Sequence, residues 1–390
     1  MPLHGSPVAG FDAFDELLRS FVTQHAVPGM SLAVGRGGQV LYARSIGFAN
    51  VTEKIPVEPH SLFRIASLSK PVTAVAILQQ VERSQLTLDT LAWEFLKLGE
   101  PTDPRWKLVT IRQLLEHTGG WDQNASIDPM FMAVEFATEA GTPPPAGPTE
   151  IIRAVLKRPL DFDPGTKYAY SNFGYCLLGR VLEHLPTAHG RSYEQIVRDE
   201  VFTPVGALST RIGRTQTTSV DEVRYSMPVI DGEPSVLEDS VFLPGEKVAP
   251  PYGAWHLEAM DSHGGWIASA SDLVRFAMGC DEAATEPDSN RKALLSRAMI
   301  DEMFAKPSGY DLKEPDVWYG HGWNVRTTGS GRGRNTWHLG ALDGTSTILV
   351  RRSDGMTWCV LFNMRKNAKG EELARLIDPL VHEAANKSVA

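Results

Sequence analysis

Three cysteines among 390 residues, Cys176, Cys280 and Cys359, are too few for a disulfide framework, and none forms a C-x-x-C pair with metal or redox spacing. They read as small core or surface thiols. No stretch reaches the ~18 apolar residues of a membrane-spanning helix. The leading MPLHGSPVAGFDAFDELL lacks the basic segment and apolar run of a signal peptide. The sequence as it stands predicts a cytoplasmic location, or a periplasmic or secreted one if a signal peptide has been removed. Positive charge is also short: 38 Lys and Arg face 47 Asp and Glu, the net charge is −9, and no Lys/Arg-rich run occurs. Without a positive field to attract phosphates, nucleic acid and anionic membrane surfaces are not expected partners. There is no G-x-S-x-G, and His382-Glu383 lacks the second histidine of a zinc helix. An α/β-hydrolase elbow and a zinc peptidase are thereby disfavoured, and neither metal nor cofactor is expected. Repeats and low-complexity tracts are missing as well.

What remains is an ordinary globular composition, 42% hydrophobic and 22% charged. A chain of this length divides into about two to three units and buries about three quarters of its unfolded surface. Phe11, Phe14, Leu17, Leu18, Phe21 and Val22 fall on one helical face within residues 10–25. Two β-rich runs follow, Met30 to Val34 and Val40 to Ile46, joined by Gly35-Arg36-Gly37-Gly38-Gln39. Glycines between two strands without a following helix turn the chain and do not cradle a phosphate. Residues 71–81, PVTAVAILQQV, are apolar nearly all round and predict a buried helix starting at Ser67. From Thr110 to about Gly206 the patterns are mostly helical. Residues 209–254 are polar and rich in Pro and Gly, which predicts long loops and one wall of a groove. Beyond Gly264-Gly265-Trp266 come a helix from Ser271 or Asp272, another near 291–304, strands at 319–326, 345–351 and 356–363, and a helix at 370–385.

Strands at both ends with helices between predict an α/β (α+β) fold: an antiparallel sheet flanked by helices, built from both termini, with a mostly helical insertion. The expected division is 1–66 and 264–390 for the sheet domain and 67–263 for the insertion, with irregular loops at 209–254.

Ser67-Leu68-Ser69-Lys70 sets a hydroxyl and an amine three positions apart at a helix start, on one face. A serine is a weak nucleophile until a base takes its proton, and a neutral lysine can be that base. Moving an amine from about 10.4 to about 7 takes about 4 to 5 kcal/mol, which burial and a positive neighbour supply. Pro71 lacks an N–H and is tolerated in a first helical turn, where free N–H groups favour developing negative charge. The spacing alone is weak evidence, since Ser289-Asn290-Arg291-Lys292 repeats it in a charged stretch where Ser289 reads as a helix cap. Tyr170-Ser171-Asn172 offers a phenol for proton transfer and an amide for a lysine or a substrate carbonyl, both on one side of an extended loop. Equally, the tyrosine packs on the core and the asparagine caps the next helix. In Trp337-His338-Leu339-Gly340-Ala341, the glycine marks close backbone approach and the amide after it could face an oxyanion. His338 would then line the cleft, unless it is a structural histidine as His117 is expected to be.

Taken together, Ser67-x-x-Lys70, Tyr170-x-Asn172 and His338-x-Gly340 resemble the serine β-lactamase-like superfamily, in its class C, family VIII carboxylesterase and DD-peptidase branch. LLEHTGG (114–120), PGTKYAYSNFGYCLLGRVLE (164–183), GGWIASASDL (264–273) and YGHGWNV (319–325) resemble its framework. The resemblance runs from about Pro28 to Asn363. It implies that Ser67 is acylated, Lys70 is its base, Tyr170 relays a proton to the leaving group and Asn172 orients lysine and substrate. It also implies an oxyanion hole from the amides of Ser67 and Ala341. One departure bears on substrate: His338-Leu339-Gly340 stands where the β-lactamases carry Lys-Thr-Gly, so the cation and hydroxyl that bind a substrate carboxylate are absent.

The expected function is therefore a carboxylesterase-type serine hydrolase on small esters or related amides, with Trp121, Trp255, Trp266 and Trp337 as candidates for an apolar acyl pocket. The alternatives are a D-amino-acid or DD-peptidase or weak β-lactamase, an acyltransferase, and a non-catalytic binding protein on the same fold.

Overall fold

The computed structural model describes residues 1–230, 233–281, 293–329 and 333–388. The two β-rich runs near the N-terminus form Gly29–Arg36 and Gln39–Asn50, joined by Gly37-Gly38 at φ 65° and 80°. Such a pair suits the two-residue hairpin turn whose twist matches the strands. The hairpin lies beside the last strand in the chain: Gly29–Arg36 pairs antiparallel with Thr357–Phe362, Ala33 opposite Cys359. The large sheet runs Leu3–His4, Gln39–Asn50, Gly29–Arg36, Thr357–Phe362, Thr345–Arg351, Arg334–Leu342, Asn324–Thr327, Val317–Tyr319, with Ile55–Pro56 added on Gln39–Asn50. Both termini build the antiparallel sheet, as the segment order predicts.

Its central strands are buried on both faces, so they read as continuous apolar runs and not as strict alternation. Met30, Leu32, Val34, Trp358, Val360 and Phe362 enter one core, against the apolar stripes of helices Asp12–His25 and Leu373–Lys387. Ala33, Cys359 and Leu361, on the alternate positions, enter the other core. There they meet helix Ala270–Gly279, capped by the Ser269 hydroxyl on the Asp272 amide, and the helical segments from the middle of the chain.

Helix Ser69–Glu82 runs through that second core, buried at every position from Ser69 to Gln80. This explains its apolar composition on all sides. In the same core lie Ile111–Leu115, Ala133–Ala140, Pro148–Val155, Asn172–His184 and Tyr193–Val197, the last two packing directly on Ser69–Glu82. A Thr110/Gln113 capping box starts the first of these and a Ser192/Gln195 box the last.

Three elements depart from the sequence expectation. The buried helix begins at Ser69, not Ser67; Ser67 lies in a single tight turn, Ala66–Leu68, ahead of it. The run 319–326 is two strands, because Gly320 to Trp323 closes a turn with Gly322 at φ 82°. Residues 337–341, given no strand in the sequence reading, belong to a nine-residue strand, Arg334–Leu342. The helix expected near 291–304 is Arg297–Met303, capped by Ser296. Ser289-Asn290-Arg291-Lys292 lies outside the described residues. Among the described residues no helix is long and apolar enough to cross a membrane.

Candidate active site

Ser67 stands on a turn held from two sides. Ala66 takes φ 47°, a left-handed conformation that costs an alanine about 1–2 kcal/mol. The Ser69 hydroxyl bonds the Ala66 carbonyl at 2.7 Å, and the Ile65 amide bonds the Trp266 carbonyl at 3.0 Å. From the large sheet, Thr345 and Thr347 reach the carbonyls of Arg64 and Ile65 at 2.8 and 3.0 Å. Contact with strand Arg334–Leu342 is so close that a Cβ on Gly340 would lie 2.3 Å from the Ile65 carbonyl oxygen and 3.2 Å from the Ser67 nitrogen. The glycine is thus demanded by backbone packing on the nucleophile turn.

One helical turn on, Lys70 is fully buried. Its Nζ donates to Ser67 Oγ at 3.0 Å, to Asn172 Oδ1 at 2.6 Å and to the His263 carbonyl at 3.1 Å. Burial pushes the amine down to about 7, since an ammonium loses its hydration there. Tyr170 borders the cleft beside Ser67, whose side chain favours the ionised phenol against burial, and the Tyr170 ring lies 4.6 Å from Lys70 Nζ. Burial raises this phenol well above its ordinary range, so at neutral pH it is protonated while the amine is divided between its two forms. A lysine in this state can take a proton from Ser67, and a neutral phenol beside it can pass one on.

Asn172 is not the cap of its helix. Ser171 is, its hydroxyl accepting from the Gly174 amide, and Asn172 is the first residue of Asn172–His184. That frees the Asn172 amide to face Lys70 through Oδ1 and Asp128 through Nδ2, the latter at 2.6 Å.

His338 borders the cleft as expected, but as a held, neutral ring. Its Nδ1 bonds the Leu339 carbonyl at 2.7 Å and its Nε2 pairs with the Tyr319 hydroxyl at 3.0 Å. Burial, with Lys70 nearby, pushes it down to about 3. His117 is structural in its bonding: Nδ1 accepts from the Ser171 amide at 3.1 Å. Yet its ring packs 4.3 Å from that of Tyr170, so it also fixes the phenol.

These groups open on a cleft of about 770 Å³. Ser67, Tyr170, Asn172, His338 and Ala341 all border it. Trp255 and Trp337 do too, whereas Trp121 and Trp266 are core residues: Trp121 packs on Trp106 and Phe173, and Trp266 on Phe202 with its indole N–H on Tyr193. Among the described residues of 209–254, the expected wall, none borders the cleft. That segment is tied down elsewhere, by Arg64 on the carbonyls of Arg214 and Pro251 and by Asn363 on that of Arg224. The wall comes instead from 123–131 and from Arg365, Glu372 and Arg375.

Two residues at the site escaped the sequence reading. Tyr319 sits in the framework stretch YGHGWNV, which carried no individual signal. Asp128-Pro129 reads as a turn, and the Asp128 carboxylate does cap Pro129–Phe131, but nothing in the sequence ties it to Asn172. Among the described residues no three His, Cys, Asp or Glu side chains gather as a metal site.

Comparison with known proteins places the chain in a family. Residues 14–382 match the family model described as Beta-lactamase. Penicillin-binding protein 4* of Bacillus subtilis (strain 168) is 31% identical over 342 residues, covering 87% of this chain and 68% of that protein. Esterase EstB of Burkholderia gladioli is 29% identical over 297 residues, 69% of each chain. Among solved structures, the D-amino acid amidase of Ochrobactrum anthropi SV3, complexed with L-phenylalanine amide, superposes with a TM-score of 0.73 at 21% identity, over 97% of this chain and 98% of that one. At that identity the likeness is one of fold. The chain is a member of the Beta-lactamase family of hydrolases.

Proposed function

We propose that the protein is a serine hydrolase that cleaves small neutral esters through an acyl group on Ser67. The observation that carries the choice of substrate is His338. Where the resembling β-lactamases hold a lysine for the substrate carboxylate, this chain holds a buried imidazole that burial keeps uncharged down to about 3 and that Tyr319 and the Leu339 carbonyl engage on both nitrogens. A neutral ring adds no attraction for a carboxylate.

In this reading neutral Lys70 accepts the Ser67 proton as Oγ attacks the ester carbonyl. The developing oxyanion sits between the backbone amides of Ser67 and Ala341. Two observations support that pairing. Gly340 packs against the Ser67 amide. The ladder to Asn324–Thr327 ends at Trp337, so residues 338–342 present an open edge toward the nucleophile turn. Collapse of the tetrahedral species expels the alcohol, protonated through Tyr170 from Lys70. Water then enters by the same path, losing a proton to Lys70 as it attacks the acyl carbon; breaking of the bond to Ser67 Oγ returns that proton from Lys70 to Oγ and releases the acid. Asn172 keeps Lys70 in place and has a second N–H for the substrate.

Peptide or amide cleavage is the second reading, favoured by Arg365 and Arg375 on the cleft wall. Both are engaged, Arg365 with Glu372 at 2.9 Å and Arg375 with Glu372 at 3.4 Å, which weakens their call on a carboxylate. The deciding experiment is intact mass and product release with a short-chain p-nitrophenyl ester and, separately, a chromogenic cephalosporin, in wild type and Ser67→Ala. Ester turnover lost in Ser67→Ala with little cephalosporin turnover is the expected result. A lasting β-lactam adduct on Ser67 with poor ester turnover would favour the peptidase reading.

A further inference from the structure

We propose that Asp128 is a positioning residue for the base: it fixes the orientation of the Asn172 amide toward Lys70 and ties that geometry to the loop walling the cleft. The inference rests on the Ser67–Lys70 reading above.

The argument begins with donors and acceptors. An ionised carboxylate only accepts, and an ammonium only donates. Asn172 lies between the Asp128 carboxylate and the Lys70 amine, an ammonium in its protonated form, with Nδ2 on Asp128 Oδ2 at 2.6 Å and Oδ1 on Lys70 Nζ at 2.6 Å. Rotating the amide by half a turn would set oxygen against carboxylate and N–H against ammonium, so Asp128 selects one orientation. In that orientation Asn172 spends its carbonyl on Lys70 and one N–H on Asp128, leaving the other N–H for substrate. The second carboxylate oxygen, Oδ1, accepts from the Met130 amide at 3.0 Å and caps the turn Pro129–Phe131. One side chain therefore joins the base to a loop whose Phe131 borders the cleft and whose Ile127 and Phe131 are exposed large apolar residues.

The charges around Lys70 make Asp128 distinctive. His117, His263 and His338 approach from three separate elements, and burial lowers all three, which leaves them neutral. Tyr170 and Tyr175 present the faces of phenols that burial keeps protonated. Burial pushes the Asp128 carboxyl up, while Asn172, the Met130 amide and Lys70 favour its charged form; that charge opposes the desolvation that lowers the amine.

The isosteric change Asp128→Asn supplies one acceptor for two donors, the Met130 amide and Asn172 Nδ2, so it loses either the cap or the amide lock. The test measures kcat and KM for p-nitrophenyl acetate across the acid limb in wild type, Asp128→Asn, Asp128→Ala and Ser67→Ala, with circular dichroism to check folding. The expected result for Asp128→Asn is a fall of about tenfold in kcat with a smaller change in KM. Its acid limb should also move about half a pH unit lower, because removing the anion eases deprotonation of Lys70. A purely structural residue would lower the amount of active protein and leave the limb in place. A folded Asp128→Asn enzyme with an unmoved limb and near wild-type kcat would overturn the proposal. If Asp128→Ala does not fold, Asp128→Asn carries the test, since it preserves side-chain volume. Turnover persisting in Ser67→Ala would sink the hydrolase reading itself, an outcome separate from any behaviour of Asp128.

Discussion

Replacing Gly340 with alanine adds one methyl group at the contact between the nucleophile turn and strand Arg334–Leu342. Gly340 does not occupy the left-handed region, so the backbone admits alanine and the penalty is steric. The new Cβ would lie 2.2 Å from Thr347 Oγ1, 2.3 Å from the Ile65 carbonyl oxygen and 3.2 Å from the Ser67 nitrogen. Thr347 cannot turn aside freely, because its hydroxyl donates to that same Ile65 carbonyl. Carbon and oxygen need a little over 3 Å, so strand and turn must separate by about 1 Å. Overpacking of this kind costs about 1–3 kcal/mol of stability. The larger effect falls on catalysis, since the two proposed oxyanion donors sit on the two parts being pushed apart. A misplacement of about 1 Å at a reacting centre is worth about 10²-fold, and loss of one donor about 10²–10³. Stopped-flow acylation with p-nitrophenyl acetate should therefore slow by about two to three orders of magnitude in Gly340→Ala, with the acid limb unchanged because Lys70 belongs to another element. A folded variant whose acylation rate stays within about threefold of wild type would refute the oxyanion geometry.

The pH dependence has a definite sign. Burial lowers Lys70 to about 7, the neutral amine is the active form, and kcat/KM for a neutral ester should rise with pH through a midpoint near 7. Lys70→Arg, charged throughout, should be inactive across the range, and a wild-type profile flat from about pH 5 to 8 would contradict the assignment. His338→Lys places an ammonium where the neutral ring now stands; KM for carboxylate-bearing substrates should fall by about tenfold relative to neutral esters, and an unchanged ratio would remove His338 from the specificity argument. Trp266→Ala should cost about 3–5 kcal/mol in urea denaturation, because Trp266 is fully buried against Phe202 and bonded to Tyr193. Trp337→Ala should instead raise KM with a much smaller loss of stability, and equal destabilisation by the two would contradict their division into core and cleft.

Local pattern carried much of this protein. The period of Phe14, Leu17, Leu18, Phe21 and Val22, the all-apolar run after Lys70 and the glycine pair at 37–38 each specify an element through interactions between near neighbours. Ser67-x-x-Lys70 is also local, because three residues of helix suffice to bring the groups to one face. The family resemblance joined Tyr170, Asn172, His338, Gly340 and Ala341 to that pair and gave several of them roles, but without distances. Strand Arg334–Leu342 stayed hidden because Arg334, Asn335, His338 and Gly340 break its apolar run. Nothing local separates Trp255 and Trp337 from Trp121 and Trp266 either, since an indole suits a cleft wall and a core equally.

What the sequence determined by itself is the set of chemical groups, their order and the elements that carry them. What only the tertiary structure decided is which groups lose water and which meet. Lys70 falls to about 7 because its helix is buried in the second core, and His338 is neutral because Tyr319 and a burying sheet enclose it. Asp128 reaches Asn172 across 44 positions of chain. Desolvation and long-range contact are properties of the packed volume, and no spacing along the chain encodes them.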